Sequence, residues 1–253
     1  MENFTNLLRA FRSTNLFLQN FLDNLPCNPS SAQDFCINSI LDMIRGTSIN
    51  VEDLLRKRSL KDAQILIRTQ IDRFIKLKKL CDDPEFAQKY IEETQRNRLK
   101  YIKNAVTNAP EAKNNSLYNS LKEVVTHEML ATLEEEVRTN GPEISLWELA
   151  RQTDLLHQYY LPYRFYSDSV HAASAELDDC FLKRGDEIVL IPYGSNKQEE
   201  LPTTLMFAMH ITLEATSITA QFKKMDITEQ LKELRTIIGH TNPDPDKAPV
   251  QTT

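Results

Sequence analysis

Apolar residues recur at intervals of three and four along most of this chain, and that spacing marks one buried face of an α-helix. On this ground, helices are predicted over residues 4–25, 59–80, 111–139, 201–224 and 227–238. The chain also contains only five glycines, a residue that destabilises helix interiors. None of the five is spaced as in a phosphate-binding loop, which argues against nucleotide binding by such a loop.

Capping and turn residues separate these helices. Ser31 is placed to cap a second helix, and Gly46 to Ser48 are expected to break or bend it. Residues 51–58 then form a further short helix or the continuation of the second one. Asp82 to Glu85 restart a helix, and a short one begins at Ser145.

One run is typical of a β-strand. It is Glu-Ile-Val-Leu-Ile-Pro over residues 187–192. Because a single strand cannot form a sheet, we expect a small β-hairpin or an extended insertion near residues 186–193. The predicted fold is therefore all-α, a multi-helix bundle with this small insertion.

The expected domain organisation is one helical domain over residues 1–240, with N-terminal helices over 1–58 and a core bundle over 59–240. Residues 241–253, rich in Pro and Asp, are predicted to be a disordered tail. No apolar run approaches the ~20 residues that cross a bilayer, and the N-terminus lacks a secretion-signal pattern. Four cysteines without a Cys-x-x-Cys pair predict reduced thiols in a cytoplasmic protein.

The net charge of −6 is unevenly distributed along the chain. Residues 52–103 contain fourteen Lys and Arg against nine Asp and Glu, a local net charge of +5. Such a region can provide a basic surface for nucleic acid in a chain that is acidic overall. Solvated helix faces of mixed charge give the same composition, so both interpretations stay open.

The stretch Tyr160 to Phe181 is predicted to be a helix that carries the main site. Pro162 suits its first turn or a kink in a longer helix, and no helix breaker follows until Gly185. An apolar stripe that includes Tyr166 runs along this helix. A polar seam lies beside the stripe and consists of Arg164, Ser167, His171, Ser174 and Asp178. Such groups at the edge of a core are costly unless paired, so the seam is either an internal hydrogen-bond network or a site.

Two motifs resemble those of a known family. The first is Leu66-Ile67-Arg68-Thr69-Gln70-Ile71-Asp72, and the second is Tyr163-Arg164-Phe165-Tyr166-Ser167-Asp168-Ser169-Val170-His171. Together they resemble a widespread family of uncharacterised bacterial all-helical proteins with a Leu-x-Arg-x-x-x-Glu helix and a Tyr-Arg-x-x-Ser-x-x-x-His helix. Asp72 keeps the charge where glutamate is commoner, with a shorter reach. The resemblance implies a helical fold.

Arg164 and His171 also resemble the Arg-x(4–6)-His signature of HEPN-type ribonucleases, since six residues separate them. Those proteins are toxins and phage-defence effectors that commonly act as dimers. The resemblance implies that His171 moves the proton of the RNA 2′-hydroxyl, for which a side chain of near-neutral pKa is suited. It implies Arg164 as the cation on the scissile phosphate. Phe165 departs from the signature, which usually has a polar residue after the arginine.

The full predicted site adds supporting residues to this pair. Ser167 joins Arg164 and His171 as catalytic, and Arg68, Asp72 and Tyr163 form an orienting shell. No cofactor and no metal are expected, because no His or Cys residues show the spacing of a zinc site. The expected partners are RNA, a second copy of the chain or another protein, and no membrane.

The alternative hypothesis is a non-enzymatic helical binding module, or a regulatory subunit of a defence or stress system. In that case the polar seam is a structural network that fixes the register of the helices, and an aromatic surface recruits a protein partner. His210, in an apolar helix, is interpreted as a core histidine.

Overall fold

The structure is a computed structural model that describes residues 2–107, 129–132, 134–135, 145–163, 166, 181–184, 187–190 and 195–241. The helices, in chain order, are α1 (Glu2–Asp23), α2 (Ala32–Arg56), α3 (Leu60–Asp82), α4 (Phe86–Thr107), α5 (Leu146–Gln152), α6 (Leu156–Gln158), α7 (Leu201–Lys223) and α8 (Thr228–Thr241). A π-helical turn (Tyr159–Tyr163) follows α6, and a 3-10 helix (Ser195–Glu200) precedes α7. The fold class is all-α, as predicted.

The chain divides into two compact units. The first contains Met1–Asp82 and Leu146–Thr253, and the second contains Asp83–Ser145. The single domain expected over residues 1–240 stays a prediction.

The first unit is built around α7. This helix is apolar on most of its surface and packs against α1, α2 and α3, while α2 also packs along α3 and against α1. A helix that is apolar on several sides must be surrounded by other helices to exclude water, which is the position of α7. The α8 helix packs on α1, and α5 and the π-helical turn pack on α3.

One helix start follows the predicted capping chemistry. The side chain of Ser31 accepts a hydrogen bond from the backbone N–H of Asp34 at the start of α2. Ser59 precedes α3, and its hydroxyl donates to the carboxylate of Asp62. The Ser31 contact satisfies a backbone N–H that a helix terminus leaves without a partner, whereas the Ser59 contact joins two side chains.

The expected break at Gly46 to Ser48 is wrong, because α2 runs unbroken from Ala32 to Arg56. Glycine within a helix costs about 1 kcal/mol relative to alanine. The buried side chains of Ile44 and Val51, on either side of it, contribute more than this cost through packing. Residues 51–58 therefore continue α2 as far as Arg56.

The expected hairpin is present, but it begins earlier in the chain than predicted. Strand β1 (Phe181–Arg184) pairs antiparallel with β2 (Glu187–Leu190), with Phe181 opposite Leu190 and Arg184 opposite Glu187. The predicted helix from Tyr160 to Phe181, with no breaker before Gly185, is therefore wrong at its end. Residues 181–184 gain backbone hydrogen bonds from the neighbouring strand instead.

The second unit is described mainly through α4. Phe86, Ala87 and Leu99 are buried, and the rings of Phe86 and Tyr90 lie 6.3 Å apart. Of the helix predicted over residues 111–139, the described residues 129–132 and 134–135 are helical. The tail beyond residue 241 lies outside the described residues. No described helix combines the length and the apolar character needed to cross a membrane.

Candidate functional site

Three tyrosines of the π-helical turn form a compact aromatic group. The rings of Tyr159 and Tyr163 stack with centroids 5.0 Å apart and planes 17° apart. Tyr160 meets Tyr159 edge-on at 5.7 Å. Pro162 lies within this turn and has no N–H for a regular helical hydrogen bond, which is consistent with the wider turn at this place.

Arg68 of α3 fixes one of these rings. Its Nη2 donates a 2.9 Å hydrogen bond to the hydroxyl of Tyr163, and its guanidinium carbon lies 4.8 Å from the centre of the same ring. A cation over an aromatic ring is worth about 0.5–1 kcal/mol where water has access. Arg68 and Tyr163 therefore connect the two motifs.

A pair of exposed aromatic residues continues this surface. Trp147 of α5 donates a 2.8 Å hydrogen bond from its Nε1 to the hydroxyl of Tyr160. Both side chains are exposed to solvent. We call the set Arg68, Trp147, Tyr159, Tyr160 and Tyr163 the tyrosine cluster.

Asp72 lies one turn after Arg68 on α3. Its carboxylate pairs with Lys76 at 3.1 Å. It also lies near enough to Tyr163 to act on that phenol electrostatically. Arg68, Asp72 and Tyr163 thus lie at one place in the structure, and their role as an orienting shell stays a prediction.

The environment of Tyr163 raises its pKa above the ordinary value of 10.0. Desolvation is the main cause, and the charge of Asp72 and the neighbouring Tyr159 add to it. The charge and the hydrogen bond of Arg68 oppose this rise without cancelling it. Tyr163 is therefore a neutral phenol at neutral pH, able to donate as well as accept a hydrogen bond.

A second tyrosine attaches the same part of the chain to α7. Tyr166 is buried, lies edge-on to Phe207 at 6.1 Å and shares a hydrogen bond with Thr204. Desolvation raises its pKa, the hydrogen bond with Thr204 lowers it, and Glu200 raises it, with a net rise. Its burial agrees with its place in the predicted apolar stripe. Tyr163 thus contacts α3, and Tyr166 contacts α7.

The three predicted catalytic residues, Arg164, Ser167 and His171, lie outside the described residues. Their catalytic role stays a prediction. Within the described part of the chain, no three His, Cys, Asp or Glu side chains are grouped so that they could hold a metal ion.

His210 is not a core residue, contrary to the expectation. It is exposed beside a groove of about 510 Å³ on α7, whose walls include Met206, Phe207 and Leu213. Even a helix that is packed on several sides has some positions that face solvent. The apolar residues around His210 in the sequence gave no sign that it occupies such a position. Because His210 is exposed, its replacement is a suitable control for replacement of His171.

A buried polar network in the first unit has no signature in the sequence. Asn15 of α1 donates to Glu52 of α2 at 2.8 Å, and the hydroxyl of Ser48 donates to Asn15 at 2.6 Å. The Ser48 and Thr212 hydroxyls lie 3.0 Å apart, and Gln70 Nε2 donates to Thr212 Oγ1 at 2.9 Å. We call these five residues the interior network. All five are buried, and together they join α1, α2, α3 and α7.

Residues 42–188 match the model of a family described as a family of unknown function (DUF5677). The match covers more than half of the chain. The chain belongs to this family. Both motifs lie within the matched residues, so the expectation of an uncharacterised helical family is confirmed at that level. No curated protein and no solved structure matches the chain.

Proposed function

We propose that this member of the DUF5677 family acts on RNA and cleaves it without a metal ion, in the manner of HEPN-type ribonucleases. The observation that carries the proposal is the tyrosine cluster, in which a guanidinium lies on a tyrosine ring directly before Arg164 in the chain. By the same resemblance, we propose that it works as a dimer and as a toxin or phage-defence effector.

The cluster offers chemistry suited to RNA. Exposed aromatic rings stack on unpaired bases whatever the base, because every base has a flat π-face. Trp147 and Tyr160 present such rings to solvent, and Arg68 adds a permanent positive charge at the ring of Tyr163. A phosphodiester backbone carries one negative charge per nucleotide, so this combination attracts it.

The reaction needs only a proton carrier and a cation. His171 accepts the proton of the 2′-hydroxyl, O2′ attacks phosphorus, and the bond from phosphorus to O5′ breaks. The imidazolium then returns the proton to O5′, which leaves as a hydroxyl. Arg164 stabilises the charge that develops on the phosphoryl oxygens. The products are a 2′,3′-cyclic phosphate and a 5′-hydroxyl end, and no water is consumed.

The test is cleavage of total RNA and of a tRNA pool by purified protein in EDTA. We expect the wild type to cut, and His171→Ala to lose about 100-fold or more of the rate, the usual contribution of a general acid–base group. Arg164→Ala is expected to lose activity as well. The exposed His210→Ala serves as the matched control and should cut like the wild type. Cleavage products should carry cyclic phosphate ends.

Melting temperatures of the same variants separate a chemical role from a structural one. If His171→Ala is inactive and melts near the wild-type temperature, His171 acts in the reaction. Absence of cleavage by the wild type, or undiminished cleavage by His171→Ala, would overturn the proposal.

A second candidate is a non-enzymatic binding module or regulatory subunit. It is favoured by the exposed pair of Trp147 and Tyr160, since aromatic residues are enriched at protein interfaces. In that case the wild type does not cut, and Trp147→Ala releases a protein partner. Such an interaction depends little on salt, whereas RNA binding weakens steeply with it.

A further inference from the structure

The α4 helix presents an aromatic ring to solvent in the basic part of the chain. Tyr101 is 75% exposed, the largest value among the exposed large apolar residues of the described chain. Asn97 and Arg98, four and three residues earlier, are exposed as well. Residues at these intervals are neighbours on a helix surface, so the three side chains share one face.

The charged residues in the second half of α4 have a single sign. From Thr94 to Thr107 the chain has four basic residues, Arg96, Arg98, Lys100 and Lys103, and no acidic one. The acidic residues of α4, Glu92 and Glu93, lie in its first half. A helix of mixed charge that is merely solvated would intersperse both signs, as the exposed face of many helices does.

Another side of the helix is buried. Phe86, Ala87 and Leu99 of α4 have little solvent exposure, so the exposed residues lie on a different face. Arg98 and Lys100 remain exposed on either side of Leu99.

We infer that the face of α4 formed by Asn97, Arg98, Lys100 and Tyr101 binds single-stranded RNA. A base stacks on Tyr101, and phosphates on either side of it contact Arg98 and Lys100. The inference rests on the proposed function, whose substrate class it narrows from RNA to unpaired RNA. Unpaired bases are required because the bases of a duplex are already stacked on one another and cannot reach a side-chain ring.

The charge argues against a protein partner for this face. Lysine is depleted from protein interfaces, and their centres are apolar. Here one ring stands among amide and cationic side chains, the composition of surfaces that bind single strands.

The test is fluorescence anisotropy with a labelled single-stranded RNA and a hairpin duplex of matched length. The protein carries His171→Ala so that the RNA is not cut. We expect Tyr101→Ala to weaken binding of the single strand roughly 5- to 160-fold, the range for loss of one base stack. Arg98→Ala should weaken it and reduce the slope of log Kd against log salt by about 0.7, the contribution of one phosphate contact. The duplex should bind more weakly and respond less to Tyr101→Ala.

Two matched controls are available elsewhere in the chain. Phe35→Ala removes an aromatic ring that is 60% exposed on α2, next to Asp34. Lys232→Ala removes a lysine whose side chain is 74% exposed on α8. Both should bind RNA as the parent protein does. If they weaken binding as much as Tyr101→Ala and Arg98→Ala do, or if none of the four changes it, the inference is overturned.

Failure of the inference and failure of the proposed function are separable. A protein that binds single strands through Tyr101 but never cuts RNA supports the inference and refutes the nuclease. A protein that cuts RNA with the same KM after Tyr101→Ala and Arg98→Ala supports the nuclease and refutes the inference. Binding of no RNA at all refutes the inference.

Discussion

The interior network and the tyrosine cluster both join helices of the first unit through polar groups, yet they differ in what surrounds them. The network is fully buried, and its amides and hydroxyls bond to one another across four helices. The cluster pairs a charged group with aromatic rings and leaves part of its surface in water. A closed network has little to offer a ligand, whereas the cluster has ring surface and charge available.

The physical difference lies in the surroundings of each hydrogen bond. Deep in the core, a polar group that loses its partner has no water to replace it, so the whole cost of desolvation appears in the free energy of unfolding. At the cluster, water can replace a lost partner. The network should therefore govern stability, and the cluster should govern function with a small effect on stability.

The largest effect on stability should come from Thr212→Val. This change removes the acceptor of Gln70 Nε2, and Gln70 Oε1 has no hydrogen-bond partner among the described residues. Gln70 would then be buried with both polar atoms unpaired, which costs about 1–3 kcal/mol. The measurement is the free energy of unfolding in urea.

Thr219→Val is the matched control for this change. Thr219 is equally buried on α7, but among the described residues its hydroxyl bonds only to the backbone of Ala215 in the same helix. We expect Thr219→Val to leave the free energy of unfolding almost unchanged, because no other buried side chain loses its hydrogen-bond partner. Equal losses in the two variants would show that the interior network contributes nothing beyond its packing.

A smaller effect on stability is expected from the charged pair of Asp34 and Lys223, and this effect should depend on pH. Lys223, near the end of α7, pairs with Asp34 in the first turn of α2 and donates a 2.8 Å hydrogen bond to the backbone of Pro26. Desolvation alone would raise the pKa of Asp34. The hydrogen bonds from Lys223 and from the Asn28 backbone, with the Lys223 charge, outweigh it, and the pKa lies below 3.8.

The sign of the pH dependence follows from that direction. A carboxyl whose pKa is lowered by folding stabilises the fold fully above its unfolded value, and this contribution is lost as the pH falls through the folded value. Asp34→Asn should cost about 1–2 kcal/mol at neutral pH, and the difference from the wild type should shrink as the pH falls below about 4. Urea unfolding of both proteins at several pH values measures it. A difference that stays constant with pH would contradict the role given to the Asp34 charge.

The sequence patterns predicted the helices much better than the polar contacts between them. Apolar spacing and a capping residue such as Ser31 act over a few residues, so the long helices α1, α3, α7 and α8 could be predicted. The break predicted at Gly46 was wrong because tertiary packing overrides local propensity in a long buried helix. The first strand was missed although Gly185 and Asp186, a pair suited to two-residue turns, separate two short runs that can pair.

The tyrosine cluster and the interior network also differ in how far the sequence predicts them. Arg68 and Tyr163 could be singled out because each stands in a recognisable motif, and the structure places them in contact. Asn15, Ser48, Gln70 and Thr212 stand alone in four separate helices, up to 164 residues apart for a contacting pair. Only the packing of the helices brings them together, so no spacing along the chain could reveal the network.

Tyr163→Phe in the tyrosine cluster should affect stability less than Thr212→Val or Asp34→Asn does. The change keeps the ring that stacks on Tyr159 and lies under Arg68, and it removes only the hydroxyl that accepts from Arg68 Nη2. Because the site is half-exposed, water can replace that bond, and we expect a loss of about 0.5–1 kcal/mol in urea unfolding. RNA cleavage should fall by a larger factor than this loss implies, since Arg68 is no longer held beside the chain that leads to Arg164. If Tyr163→Phe lost as much stability as Thr212→Val and cleaved RNA as the wild type does, the tyrosine cluster would have a structural role like that of the interior network.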